Sequence, residues 1–149
     1  ARIMSLRDGS AKMSKSAPSD MSRINLTDSA DEIMKKVKKA KTDPEPLPGE
    51  AAGLTGRPEA LNLLTIYAAL ADQPVDRVLA EHAGQGFGAF KPKLGELLVE
   101  VLAPITARFT QLLDDRPALG QVLADGAGRA RTLAAPTLER AYAALGMVR

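Results

Sequence analysis

The spacing of the aliphatic residues constrains this chain most. Between Lys93 and Leu113 the apolar positions Leu94, Leu97, Leu98, Val101, Leu102, Ile105, Phe109 and Leu112 recur at intervals of three and four, the period of a buried helix face. Pro104 interrupts the run, and its missing backbone donor predicts a kink. The same spacing joins Leu61, Leu64, Tyr67 and Ala68 after Pro58, a residue suited to a first helical turn, so a helix is expected from there to about Ala71. Pro74 should open a shorter helix ending near Gly84. After Arg116-Pro117, the set Leu119, Val122, Leu123, Leu133, Leu138, Tyr142 and Leu145 predicts a last apolar helical stretch to about Gly146, broken at Pro136. Aromatic residues are only 3% of the chain and Trp is absent, so Leu, Ala, Val and Ile must build the core, which suits a helical bundle better than a β-sandwich.

The amino-terminal part reads differently. Arg2 to Leu6 has the pattern of a short strand, and Arg7 to Asp20 that of a mobile loop rich in Gly, Ser and Pro. Ser29-Ala30-Asp31-Glu32 is a capping box opening a helix to about Lys41, with Ile33, Val37 and Ala40 on one face and Lys35, Lys36, Lys38 and Lys39 on the other. These lysines form either a solvated face or a contact for RNA or a hinge. Pro44-Glu45-Pro46-Leu47-Pro48-Gly49 marks Thr42 to Gly56 as an exposed linker. The fold class is therefore mainly α. Its expected divisions are residues 1–27 with the strand and loop, 28–56 with the basic helix and linker, and 57–149 with the helical domain.

With no Cys, the chain has neither disulfides nor thiolate metal sites, which agrees with a reducing cytoplasm, the expected location. No metal site is assigned. The longest apolar run, Leu61 to Ala71, is too short to span a bilayer. Net charge is only +2, yet residues 1–41 carry ten Lys/Arg against five Asp/Glu, and residues 42–149 carry ten against thirteen. A polyanion would be drawn to the first part.

That basic part contains Lys12-Met13-Ser14-Lys15-Ser16, two ammonium groups on a polar loop after the expected strand. Such a loop suits the phosphates of a nucleotide; the plainer reading is a solvated Lys/Ser turn. Together with Arg2-Ile3-Met4-Ser5-Leu6 before it, the pentapeptide resembles the second signature of class I aminoacyl-tRNA synthetases, in the context found in bacterial tryptophanyl-tRNA synthetases. Arg57-Pro58-Glu59-Ala60-Leu61-Asn62-Leu63-Leu64-Thr65-Ile66-Tyr67 and Gly86-Phe87-Gly88-Ala89-Phe90-Lys91 are similar to further segments of that family, so the resemblance covers the whole chain. It implies that the first residues are the last strand and loop of a Rossmann-type catalytic domain, with a helical tRNA-binding domain after them. The family's His-Ile-Gly-His-type motif has no counterpart here, where His82 is the sole histidine. The chain is accordingly expected to be the carboxy-terminal part of the enzyme and inactive alone.

The resemblance further implies ATP-dependent activation of tryptophan and its transfer to tRNA(Trp), with Mg²⁺ as cofactor and a homodimer as the full-length assembly. Lys12 and Lys15 would be the catalytic cations, and Ser14 and Ser16 would hydrogen-bond phosphate oxygens. By resemblance alone, Met13 would lie against adenine and the backbone around Ile3 would meet the base edge. Gly9 and Ala17 depart from the Pro and the acidic residue common in the family, which is expected to loosen the loop. A tyrosyl-tRNA synthetase is the rival within the class, and a non-catalytic tRNA-binding helical module the rival outside it. Arg129 and Arg131, among the small residues of Gly126-Ala127-Gly128, are candidates for tRNA contact. His82 fits a helix-end role better than catalysis, and Gly84-Gln85-Gly86-Phe87-Gly88 an interhelix connection anchored by Phe87 and Phe90 better than a phosphate cradle.

Overall fold

A computed structural model describes residues 2–147. Among the described residues five α-helices carry the fold: α1 (Ala30–Lys38), α2 (Pro58–Leu70), α3 (Val75–His82), α4 (Phe87–Asp114) and α5 (Arg116–Leu145). The chain divides into two compact units, Ala1–Ala107 and Arg108–Arg149.

In the first unit, α1 starts as a capping box: Ser29 Oγ accepts from the Glu32 N–H, and the Glu32 carboxylate accepts from the Ser29 N–H at 2.8 Å. Its carbonyl end is held by two cations, Arg7 Nη1 donating to Lys39 C=O at 2.6 Å and Lys91 Nζ to Ala40 C=O at 2.8 Å. Pro58 opens α2, which packs against α3 and a short 3-10 turn at Ala51–Leu54. The core joins Ile33 and Val37 of α1, Leu63 and Leu64 of α2, Val78 and Leu79 of α3, and Phe90 and Leu94 of α4. Gly95 of α4 leaves room for Met34 of α1; a Cβ there would meet the Met34 sulfur.

Four expectations about this unit are corrected. Among the described residues no strand forms: Arg2 to Leu6 makes a single antiparallel bridge, Met4 with Lys12, because the Met4 backbone is taken up by the Asn62 side chain instead of a second strand. The linker is not uniformly exposed. Leu47 is buried, its backbone tied to Gln85 C=O at 2.9 Å and Gly84 N–H at 2.8 Å. Lys36 does not lie on the solvated face, since it stands at i+3 from Ile33, one residue before Val37, and is buried. Finally, α4 begins at Phe87, not near Lys93, because burial of Phe87 and Phe90 outweighs the low helix propensity of Gly88.

In the second unit α5 runs unbroken through Pro136. Thr132, whose carbonyl the proline leaves without its helical donor, is exposed to water. Asp115 caps the start of α5, its carboxylate accepting from Ala118 N–H at 3.0 Å, and Gly146 ends it at φ 68°. The apolar set of this helix builds no core: Val122, Leu123, Leu133, Leu138 and Leu145 are all exposed and α5 has no buried residue. Within this unit only the end of α4 accompanies a 30-residue helix, too little surface to cover it.

Candidate functional site

The basic loop stands on a small antiparallel frame. Ser5 N–H donates to Ala11 C=O at 2.8 Å and Met13 N–H to Ile3 C=O at 3.1 Å. The tight return between them is made by Asp8, whose carboxylate accepts from the Ser10 N–H and hydroxyl. These Ser10 bonds hold the Asp8 carboxyl below its ordinary pKa. Gly9 sits against the start of α2, where a Cβ would stand 2.4 Å from the Pro58 carbonyl carbon. Gly9 thus permits a close fit against α2, and only a residue without Cβ allows this approach.

Ile3 and Met13 are half-buried against the core and, with Arg2 and Lys12, line an open cavity of about 660 Å³. Beyond it, Ser14 to Ala17 close a turn through Ala17 N–H to Ser14 C=O at 3.3 Å, and Ser14 Oγ accepts from Ser16 N–H at 3.2 Å. Lys12, Ser14, Lys15 and Ser16 are all exposed. Among the described residues neither the Lys12 nor the Lys15 ammonium has an ion-pair partner. Lys12 at the open cavity and Lys15 three residues further along the same loop can receive a polyphosphate without first breaking an internal pair.

The segment leaving the loop is braced by a polar network. Arg23 Nη1 donates to Ala17 C=O at 3.0 Å, and its Nη2 lies 3.0 Å from the Asp20 carboxylate. Lys36 Nζ reaches both Asp20 and Asp28 at 2.6 Å, and Asn25 donates to both carboxylates. Burial alone would lower the Lys36 pKa, but the bonds to Asp20 and Asp28 outweigh it and raise the value. The Lys36 bond is also the main reason the Asp20 carboxyl is held down. Sequence reasoning missed this brace and the Asn62 clamp; the available signals were a lysine at core spacing and an Asn inside an apolar run.

The other candidates lie elsewhere. His82 is buried at the end of α3, edge-on to the Tyr67 and Phe90 rings at 5.1 Å each, a packing role. Residues 83–86 connect α3 to α4, so Phe87 and Gly88 of the expected connection already belong to α4, with Phe87 and Phe90 buried as expected. Arg129 and Arg131 are exposed on α5, in the second unit, and at a spacing of two they point to different sides of the helix. Among the described residues there is no group of three or more His, Cys, Asp or Glu able to hold a metal, and no helix long and apolar enough to cross a membrane.

The site is thus a lysine-bearing loop on a small antiparallel frame, braced by a helical body. The family model described as tRNA synthetases class I (W and Y) matches residues 1–103, and the chain belongs to that family. It is 62% identical over 138 residues to a tryptophan–tRNA ligase of Caulobacter vibrioides, a match covering 93% of this chain and 40% of that protein. With a tryptophan–tRNA ligase of Agrobacterium fabrum it shares 55% identity over 148 residues, 99% of this chain and 42% of the relative. Its fold is similar to the crystal structure of tryptophanyl-tRNA synthetase from Mycoplasma pneumoniae, with a TM-score of 0.77 and 28% identity across 99% of this chain and 46% of that one. The chain thus spans about two fifths of the length of the curated relatives it matches.

Proposed function

We propose that the chain is the carboxy-terminal, ATP-loop and helical part of a tryptophan–tRNA ligase, and that it is inactive without the remainder of the enzyme. The observation carrying this reading is the pair of exposed, unpaired ammonium groups, Lys12 and Lys15, on the loop beside the Ile3–Met13 cavity. The 62% identity to a tryptophan–tRNA ligase supports tryptophan over tyrosine as the amino acid. The reaction joins the tryptophan carboxylate to the α-phosphorus of ATP and expels pyrophosphate; the adenylate then passes its acyl group to the 3′ end of tRNA(Trp).

As the bond to the leaving group breaks, negative charge grows on the β and γ phosphates. Lys12 and Lys15 stabilise that charge more than the ground state, and Ser14 and Ser16 orient the phosphate oxygens. Met13 offers an apolar surface to adenine, and the Ile3 backbone meets the base edge. The described residues do not form a protein site for Mg²⁺, which would arrive on the phosphates of ATP. In functional terms, residues 1–27 complete the catalytic domain, 28–56 link it, and 57–149 bind tRNA, with Arg129 and Arg131 offering contacts from two sides of α5. These divisions do not follow the two compact units, because the loop segment packs into the first. A homodimer in the cytoplasm is the expected assembly. Replacing Lys15 by Ala in the intact enzyme is the test: kcat and kcat/KM for activation falling together support the role, whereas a change confined to KM contradicts it.

A further inference from the structure

We infer that the cleft between α1 and the start of α4 is a docking site for the sugar–phosphate backbone of tRNA, an inference that rests on the tRNA ligase reading. The cleft holds about 520 Å³ and is lined by Met34, Lys35 and Lys38 from α1 and by Phe87, Lys91 and Pro92 from α4. No carboxylate lines it. Its three lysines have no ion-pair partner among the described residues, although Lys36 on the same helix has two. Three like charges around one cleft repel each other, and a polyanion placed among them relieves that repulsion.

Lys35 and Lys38 stand three apart on one side of α1, about 5–6 Å between Cβ atoms by helix geometry. Both line the α1 side of the cleft while Lys91 lines the α4 side, which spreads positive charge over both walls, as a strand of phosphates requires. Lys91 Nζ is fixed by Ala40 C=O and lies 5.8 Å from the Phe87 ring centroid. Burial lowers its pKa, a desolvation cost that a phosphate beside it would offset. Met34, Phe87 and Pro92 give the cleft an apolar wall for ribose or base, and Gly88 adds a backbone N–H from the first turn of α4.

The test uses the intact protein, a tRNA(Trp) transcript and the exposed-residue variant Lys35→Gln/Lys38→Gln. Binding is measured from about 50 to 200 mM salt, together with ATP–pyrophosphate exchange in the presence of tryptophan. The expected result is weaker tRNA binding and a salt slope shallower by about 2, one for each lysine, with the KM for ATP unmoved. A second variant, Lys35→Glu/Lys38→Glu, should weaken tRNA binding further. An unchanged slope in both variants overturns the inference, as does a raised KM for ATP in place of the slope change. Exchange by the unsubstituted protein is read separately: its absence removes the ligase reading, while the slopes still decide whether the cleft binds RNA.

Discussion

The side-chain amide of Asn62 grips the backbone of Met4 at both ends, Oδ1 accepting from the Met4 N–H and Nδ2 donating to its C=O, each at 2.9 Å. The two residues are 58 positions apart, so a buried amide on α2 holds the frame from which the basic loop projects. Asn62→Leu keeps the branched shape and the number of side-chain heavy atoms but leaves the Met4 groups without partners. The expected cost is about 1–3 kcal/mol, read as a lower denaturant midpoint. A slower activation step in the intact enzyme should accompany it.

Lys36 supports the other end of the loop. Lys36→Met would strand the buried Asp28 carboxylate without its cation, a loss of about 3–5 kcal/mol for a broken buried pair. Adding Asp28→Asn removes the stranded charge and should recover part of that loss. Denaturant unfolding of the single and double variants checks both statements.

The pH dependence follows from the same groups. The bond from Lys36 lowers the Asp20 carboxyl, the bond from Arg57 lowers Asp43 and the bond from Lys41 lowers Glu59. A lowered carboxyl contributes stability above its unfolded value of about 3.9–4.3 and loses it as pH falls through the folded value. Lys36 and Lys41 are raised, so their contribution is complete below about 10.4 and lost as pH rises through the folded value. Lys91, lowered by burial, acts in the opposite sense on that alkaline arm. Thermal midpoints should fall below about pH 4 and above about pH 10.5, and the alkaline fall should be shallower in Lys36→Met.

Gly9→Ala tests the close approach to α2. A methyl group 2.4 Å from the Pro58 carbonyl carbon and 2.5 Å from the Glu59 nitrogen meets backbone that cannot rotate away. A destabilisation of about 1–3 kcal/mol is expected, seen as a lower thermal midpoint. Ala at Gly88, where nothing lies within 4 Å, should leave the midpoint unchanged or raised.

Local signals made part of this legible. The Ser29–Glu32 box and Pro58 marked the starts of α1 and α2 because capping chemistry lies within one turn. The loop was legible as a motif, but its support was not: Asn62 reaches Met4, and Lys36 reaches Asp20 and Asp28, through tertiary contacts that no periodicity encodes. The charge of Lys36 points to the solvated face, whereas its place three residues after Ile33 puts it on the core side. On α5 the apolar pattern misled in the other direction, because spacing identifies a face that can be buried without supplying a surface to bury it.

ATP–pyrophosphate exchange by the intact enzyme, run against each of the twenty amino acids, tests the central claim most directly. Exchange with tryptophan alone, reduced by about 10²–10³ in Lys15→Ala, is the predicted result. Exchange with tyrosine would contradict the substrate assignment, and no exchange with any amino acid would contradict the catalytic reading of the loop.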